Sequence, residues 1–170
     1  DVLASRLLLQ IAYKEVFGCS TTQEDRHAKY RQSFAKSIKA GIENGILNDA
    51  LLSYDLEALA AHIEPERDQL FTYLGAQTIY DRYLLKTKKE KLELPQTFWM
   101  RIAAGLALNE PNKQEKAVEF YGVLSQLQYV ASTPTLFHSG YKIAQLSSCY
   151  LSTVNDDLAH IFKVIGDNAQ

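Results

Sequence analysis

The chain of 170 residues lacks the features that mark several large classes of protein. Its two cysteines are too few for a disulfide-framed secreted module, so a reducing compartment is expected. No apolar run approaches the roughly 18 residues that a membrane span needs. The formal charge of −2, from 18 basic and 20 acidic side chains, gives no electrostatic reason to expect a nucleic-acid or acidic-membrane surface. Because 46% of the residues are apolar and can fill a core, a soluble globular chain is predicted.

The sequence also lacks the local patterns of common catalytic and binding sites. No glycine-rich phosphate loop and no dinucleotide fingerprint occurs. The lysine-rich residues 86–91 are interleaved with glutamate, which predicts a solvated linker, and Cys19 is predicted to be a packed or incidental thiol. The four histidines do not have the spacing of a metal site. Structural or solvated roles are therefore expected for His27, His62, His138 and His160.

Helical periodicity dominates the first 130 residues. Apolar residues spaced three and four apart predict helices over residues 1–17, 27–43, 56–63, 66–85, 95–108 and 113–132. Gly18 suits the left-handed position after the first helix, Asp55 is a cap for the third, and Pro95 fits the first turn of the fifth. The small residues 103–105 predict close packing of the fifth helix against a neighbour. The ten tyrosines mostly occupy core or boundary positions, where packing with a hydroxyl at the rim accounts for them.

The character of the sequence changes at Ser132. Residues 133–137 are predicted to be extended, because they combine β-branched residues with a proline. Residues 145–154 (QLSSCYLSTV) have the composition of a strand, and residues 155–157 are predicted to cap a last helix over residues 158–166. A helical layer followed by a strand and then a helix is typical of the start of an α/β barrel or sheet domain.

The predicted fold class is therefore mainly α, with a helical domain that leads into the first β-strand and helix of a truncated α/β barrel. The predicted boundary divides residues 1–131, the helical N-terminal domain, from residues 132–170, the start of the barrel. Both ends of the chain lie inside amphipathic patterns. The chain is accordingly interpreted as a piece of a larger protein.

Cys149 is the residue whose surroundings point most clearly to chemistry. It follows two serines in the predicted strand, and a second hydroxyl-rich segment, residues 132–135, lies upstream. Two such segments that converge in space can hold an anion through backbone N–H and side-chain O–H donors. The alternative is a buried strand cysteine that packs as a small hydrophobe. Local chemistry leaves both interpretations open.

Residues 131–154, ASTPTLFHSGYKIAQLSSCYLSTV, resemble the signature segment of the large (α) subunit of ribonucleotide reductase. The family pattern is a hydroxyl-Pro-Thr-Leu-Phe-Asn-x-Gly stretch, with the cysteine of Gln-Leu-Ser-Ser-Cys nine residues after the glycine, and Gly140 and Cys149 have that spacing. His138 stands where the family usually has asparagine. Upstream, LPQTFWMRIAAGLAL and YLGAQTIYDRYLL resemble two helices of the family, so the resemblance runs from about Tyr30 to the C-terminus.

The resemblance implies a role for four residues. Enzymes of this family remove the ribose 2′-hydroxyl by thiyl-radical chemistry, and a pair of redox-active cysteines supplies the electrons. Cys149 matches the first member of that pair, and the partner cysteine would lie beyond Gln170. Thr133 and Ser148 match positions that contact the substrate nucleotide. Asp157, with its neighbour Asp156 as a weaker candidate, matches an acidic residue of the specificity-effector site at the α-subunit dimer interface.

The resemblance also implies cofactors and partners. The substrate would be a ribonucleoside diphosphate, the effectors would be deoxynucleoside triphosphates and ATP, and the α subunit would form a homodimer. A separate subunit with a dimetal-tyrosyl centre would supply the radical, and thioredoxin or glutaredoxin would supply electrons. The enzyme would act in the cytoplasm in DNA precursor synthesis. The isolated piece, without the rest of the barrel, is predicted to be inactive.

Two alternatives remain open. The chain could be a non-catalytic helical scaffold or interaction domain, whose stability would not respond to a nucleoside diphosphate or a deoxynucleotide. It could also belong to an adenosylcobalamin-dependent reductase, which shares the barrel signature. The long helical domain before Thr133 favours the type that pairs with a separate radical subunit.

Overall fold

The computed structural model describes residues 1–169, which form a bundle of helices. Its α-helices are α1 (Val2–Phe17), α2 (Gln23–Glu43), α3 (Leu56–Ala61), α4 (Tyr73–Thr78), α5 (Pro95–Ala107), α6 (Lys113–Ser125), α7 (Thr133–His138) and α8 (Leu158–Asn168). Shorter 3₁₀ segments cover Asp49–Ser53 and Pro65–Leu70, and a π-helical turn covers Ile79–Tyr83. In this part of the chain, no helix combines the length and the apolar character that crossing a membrane requires.

The helix boundaries follow from local capping groups. Gly18 ends α1 in the left-handed conformation, at a φ of +73°. The hydroxyl of Thr22 accepts from the backbone amide of Asp25 at the start of α2, and Asp55 caps α3 in the same way. Pro95 stands in the first turn of α5, where its missing N–H leaves no helical bond unmade. The mainly helical fold class is confirmed.

Two predicted helices are wrong in extent. Residues 66–85 do not form one helix, because the chain turns extended at Phe71 and Thr72, and the hydroxyl of Thr72 caps α4 through the amide of Gly75. The helix predicted over residues 113–132 ends at Ser125. Shortly after that end, Leu127 adopts a φ of +58°, which takes the backbone out of the helix.

Helix α5 lies at the centre of the bundle. Eleven of its 13 residues are buried, so it is enclosed on nearly all sides rather than along one stripe. Helix α6 packs along α5, and α2 also contacts α5. Three of the buried residues of α5 are polar and must find partners inside the protein, namely Gln96, Thr97 and Arg101.

The extended segment predicted at residues 133–137 is wrong, and the strand predicted at residues 145–154 is not formed within the residues that the structure describes. Residues 133–137 belong to helix α7, because Pro134 occupies its first turn, where a fixed φ favours a helix. Residues 145–154 have no regular structure. A strand satisfies its backbone groups only by pairing with another strand, and residues 1–169 contain isolated bridges but no such partner. Gln170, the end of the second predicted domain, lies outside the described residues.

Candidate functional site

The segment that carries the predicted site is fixed to helix α5. The Ser139 hydroxyl donates to the carbonyl of Ile102 at 2.8 Å, and the Arg101 guanidinium donates to the carbonyl of Ser139. Gly140 adopts a φ of +81°, which favours glycine. The two backbones are so close that a Cβ at Gly105 would lie 2.3 Å from the amide nitrogen of Gly140. The position of α7 therefore depends on glycine at both positions.

The charge of Arg101 is balanced inside the protein by Glu93. Both side chains are fully buried, and Nε of Arg101 lies 2.6 Å from Oε1 of Glu93. The other carboxylate oxygen accepts from Nη2 of Arg101 at 3.3 Å and from the backbone amide of Leu85 at 2.9 Å. Each charge is thus paired and hydrogen-bonded, which is the condition for burying it. The pair connects Leu85, helix α5 and the end of α7.

The two hydroxyl-rich segments lie next to each other. The Thr135 hydroxyl in α7 donates to the carbonyl of Leu146 at 3.0 Å, and Nδ1 of His138 lies 3.0 Å from the carbonyl of Gln145. A carbonyl oxygen can only accept, so Nδ1 of His138 carries the proton of this bond. These two bonds hold the start of the segment with Ser148 and Cys149 against α7.

Thr133 is the first residue of α7, and its side chain is exposed. Its hydroxyl oxygen lies 3.2 Å from the hydroxyl of Tyr83. The ring of Tyr83 packs on Phe137 with 4.6 Å between ring centroids. An aromatic pair therefore holds the Thr133 hydroxyl in place while leaving its side chain open to solvent.

Ser148 and Cys149 are both exposed. The Ser148 hydroxyl oxygen lies 3.8 Å from Sγ of Cys149, and the thiol is free. The alternative of a buried cysteine that packs as a small hydrophobe does not fit this position. An exposed thiol can react with a ligand or with another thiol.

Asp157 caps the last helix. Its carboxylate accepts from the backbone amide of His160 at 2.8 Å, and both Asp157 and the preceding Asp156 are exposed. None of the residues of α8 is buried, although Leu158, Phe162 and Ile165 lie on it. Helix α8 therefore presents an apolar face that no part of residues 1–169 covers.

Three of the four histidines, His27, His138 and His160, make polar side-chain contacts. Nε2 of His27 lies 2.9 Å from Oε1 of Glu66, and Nδ1 of His160 accepts from the backbone amide of Asn155 at 3.2 Å. These contacts agree with the structural or solvated roles that the sequence predicts. Over residues 1–169, no group of three or more His, Cys, Asp or Glu side chains is placed to hold a metal ion.

A buried carboxylate at Asp68 is the largest feature that the sequence did not predict. Its Oδ2 accepts from the hydroxyls of Tyr13 and Tyr30, and its Oδ1 accepts from Nε2 of Gln96 at 2.8 Å. Burial raises the pKa of Asp68 to about 6, although these hydrogen bonds and the charge of Arg26 act in the opposite direction. Burial beside Asp68 also raises the pKa values of Tyr13 and Tyr30 far above that of free tyrosine.

The same network continues into helix α6. The hydroxyl of Tyr121 donates to Oε1 of Gln96 at 2.9 Å and accepts from the backbone amide of Glu64. The tyrosine hydroxyls thus lie inside the core on polar partners, where the sequence predicts them at the rim. The sequence signal was the presence of several tyrosines on core faces, because a buried hydroxyl needs a partner.

Comparison with known proteins agrees with the sequence resemblance. The family described as "Ribonucleotide reductase, all-alpha domain" matches residues 69–144. The chain belongs to the ribonucleotide reductase large-subunit family. It is 47% identical to the ribonucleoside-diphosphate reductase subunit alpha of Chlamydia trachomatis over 98% of its own length, and 42% identical to that of Helicobacter pylori over 94%. The chain spans only 16% and 19% of the length of these two relatives.

Some candidate residues of this ribonucleotide reductase segment lie inside the all-alpha domain match, and others lie beyond it. It includes Thr133 and the α5 anchor of α7, at Arg101 and Gly105. Cys149 and Asp157 lie beyond the matched range but inside the alignment with the Chlamydia trachomatis subunit, which leaves out only about 2% of the chain. The domain match thus covers α5 and α7, and the alignments with relatives extend further, to Cys149 and Asp157.

Proposed function

We propose that the chain is part of a ribonucleoside-diphosphate reductase α subunit, which converts ribonucleotides to deoxyribonucleotides for DNA precursor synthesis. The observation that carries the proposal is the exposed Cys149 thiol beside Ser148, on a segment hydrogen-bonded to the helix that bears Thr133. In the longer protein, residues 132–170 open the catalytic α/β barrel, and residues 145–154 form its first strand once a neighbouring strand is present to pair with them.

Cys149 acts in this proposal as one of two reducing thiols. The overall step converts one ribonucleotide and two thiols into one deoxyribonucleotide, one disulfide and one water. The C2′–O bond breaks and a C2′–H bond forms, while the two sulfurs lose two electrons and form the S–S bond. An external dithiol such as thioredoxin or glutaredoxin then reduces the disulfide by thiol exchange. The partner cysteine lies in the part of the enzyme that this chain does not span.

Thr133 and Ser148 are the proposed substrate contacts. Both side chains are exposed hydroxyls that can donate to the oxygens of a nucleotide. The Tyr83 hydroxyl fixes one of them, and the Thr135–Leu146 bond holds the segment of the other against α7. Fixed donors bind an anionic substrate better than mobile ones, because less rotational freedom is lost on binding.

Asp157 is the proposed contact to a deoxynucleoside triphosphate or ATP effector. Its carboxylate can accept from a ribose hydroxyl, and it lies at the start of α8, whose exposed apolar face would pack in the α homodimer. The neighbouring Asp156 is a weaker candidate for the same contact. A separate subunit with a dimetal-tyrosyl centre supplies the radical in the proposed cytoplasmic enzyme.

The experiment that tests this function compares two cysteine variants of the full-length protein. Cys149→Ser removes the proposed reducing thiol, and Cys19→Ser is the matched control, because Cys19 is also a free exposed thiol. We expect sustained reduction of a ribonucleoside diphosphate, with a dithiol and the radical subunit present, to be lost in Cys149→Ser and retained in Cys19→Ser.

Equal turnover in the two variants would contradict the role of Cys149. Turnover that requires added adenosylcobalamin instead of the radical subunit would assign the protein to the other reductase type. If the wild-type protein shows no turnover, and neither a nucleoside diphosphate nor a deoxynucleotide changes its thermal stability, the scaffold alternative would be favoured.

A further inference from the structure

A polar cleft lies between helix α1 and the start of helix α2, and none of the residues of the proposed active site lines it. Its volume is about 330 Å³. Two guanidinium groups and three side-chain amides line it, together with Leu9 and Tyr13, and no carboxylate is among the lining residues. The polar lining residues are Arg6, Gln10, Gln23, Arg26 and Gln69.

The guanidinium groups of this cleft have hydrogen-bond donors that no other described side chain uses. Neither Arg6 nor Arg26 forms an ion pair with any residue in the described range 1–169. The Nε of Arg26 is buried and has no hydrogen-bond partner in that range. The same guanidinium stacks over the ring of Tyr13 at 4.9 Å, which holds it in place. An unpartnered buried donor is uncommon in proteins, and it leaves the positive charge of Arg26 without a hydrogen-bonded partner at the wall of the cleft.

The buried carboxylate of Asp68 does not neutralise the cleft. The charge of Arg26 lowers the pKa of Asp68, but both oxygens of that carboxylate already accept from Tyr13, Tyr30 and Gln96. Asp68 is also fully buried and is not part of the cleft lining. Arg6 and Arg26 therefore line the cleft, whereas the one carboxylate near them, that of Asp68, is buried and does not line it.

The start of α2 adds hydrogen-bond donors to the cleft. Gln23 is the first residue of a helix of 21 residues, so the backbone amides of this helix end, apart from the Asp25 amide that Thr22 caps, lie beside the cleft. The acidic residues of the first turn, Glu24 and Asp25, do not line the cleft, and Asp25 accepts a hydrogen bond from the Thr22 hydroxyl. The uncapped amides of this helix end and the two arginines thus present donors to the same cleft.

We propose that this cleft binds a phosphate group, with Arg6 and Arg26 donating to its oxygens and the amides of Gln10, Gln23 and Gln69 completing the site. The fork of a guanidinium matches the geometry of phosphate oxygens. A cleft of about 330 Å³ has the size of a small-ligand site and has room for a phosphate or a pyrophosphate. This site is independent of the proposed reductase chemistry.

The test is calorimetric titration of the full-length protein with inorganic phosphate and with pyrophosphate. Arg6→Gln and Arg26→Gln each remove one proposed contact, and Arg31→Gln is the matched control, because Arg31 is an exposed arginine of α2 outside the cleft. We expect about tenfold weaker pyrophosphate binding in each cleft variant, because a charge-assisted contact is lost, and no change in Arg31→Gln. Arg6 is exposed, so Arg6→Gln still tests the site if Arg26→Gln lowers stability by removing charge near Asp68.

A third titration with ATP distinguishes free phosphate from the phosphate chain of a nucleotide. Binding of inorganic phosphate and pyrophosphate that Arg6→Gln weakens supports a site for the free anions. Binding of ATP alone that Arg6→Gln weakens supports a nucleotide as the source of the phosphate. Binding of all three anions that is equal in wild-type protein, Arg6→Gln and Arg31→Gln would overturn the proposal, as would the absence of binding to the wild-type protein.

Discussion

Helices α5 and α8 are both rich in apolar residues, yet α5 is buried and α8 is exposed. Eleven of the 13 residues of α5 are buried, including a charged one, whereas none of the residues of α8 is. Phe98 in α5 is 0% exposed and Phe162 in α8 is 65% exposed. The residues with proposed chemistry, Cys149 and Asp157, lie on the exposed side of this division. Stability is therefore expected to reside in the bundle, and function in the segment that the bundle supports.

Breaking the buried ion pair is expected to cause a large loss of stability. Arg101→Met leaves the Glu93 carboxylate buried without its countercharge and removes the bond to the Ser139 carbonyl. We expect the free energy of unfolding to fall by about 3–5 kcal/mol. Chemical denaturation measures it, with the double variant Arg101→Met/Glu93→Gln as the control that removes both charges. A loss below about 1 kcal/mol in the single variant would contradict the role assigned to the pair.

The buried carboxylate of Asp68 should make stability depend on pH. Its pKa is raised from 3.8 to about 6 in the folded protein, so the folded state binds this proton more tightly than the unfolded state does. The contribution of Asp68 therefore falls as pH rises from about 4 to about 6, by about 3 kcal/mol, and stays constant above that range.

The measurement is urea denaturation between pH 4 and pH 7 for the wild-type chain and for Asp68→Asn. The difference between the two profiles isolates Asp68 from the other groups that titrate in this range. The variant should lose this part of the pH dependence, because it has no proton to release. Parallel profiles would mean that the Asp68 carboxyl ionises in the folded protein as it does in water.

Two glycines on neighbouring helices provide a smaller and more local test. Gly105→Ala places a Cβ 2.3 Å from the amide nitrogen of Gly140, so the backbones must separate at a cost of about 1–3 kcal/mol. Gly122→Ala in α6 is the matched control. A Cβ there meets no atom within 4 Å, and alanine should stabilise the helix by about 0.5–1 kcal/mol. Thermal unfolding measures both, and opposite signs are expected.

The smallest effect on stability is expected in the exposed helix α8. Phe162→Ala removes an aromatic side chain that is 65% exposed, so the stability of the 170-residue chain should change by less than about 0.5 kcal/mol. The same truncation at Phe98 should cost about 3–5 kcal/mol, because that ring is fully buried. Similar losses at the two positions would show that α8 packs on the bundle in solution.

The bundle shows which parts of a fold can be predicted from local sequence. Gly18, Asp55 and Pro95 were predicted to bound helices, and each does so through groups within a few residues of itself. The break at Thr72 is also set by a local cap, but the apolar period runs across it and predicts one helix. Residues 133–137 were predicted to be extended partly because of Pro134, yet this proline lies in the first turn of α7. One residue type can start a helix or end one, and local pattern alone did not decide between them.

The candidate site also has a part that local sequence predicts and a part that it does not. Cys149, Ser148 and Thr133 were identified from a motif within one stretch of sequence, and their roles remain proposals. Close packing at residues 103–105 was predicted, but the Arg101–Ser139 bond and the Asp68 network were not, because they join residues that are far apart. Arg101 and Ser139 are 38 positions apart, and Tyr13 and Asp68 are 55 apart. No local pattern marks such a pair.

The mainly helical character of the chain, the start of most of its helices and its family can all be predicted from the amino-acid sequence. These properties depend on caps, periodicity and a motif, all of which act over a few residues. Which polar side chains are buried, and which apolar helix face stays exposed, depends instead on how the helices pack together. A buried charge is stable only when distant segments bring it a partner, and such partners exist only once the chain has folded.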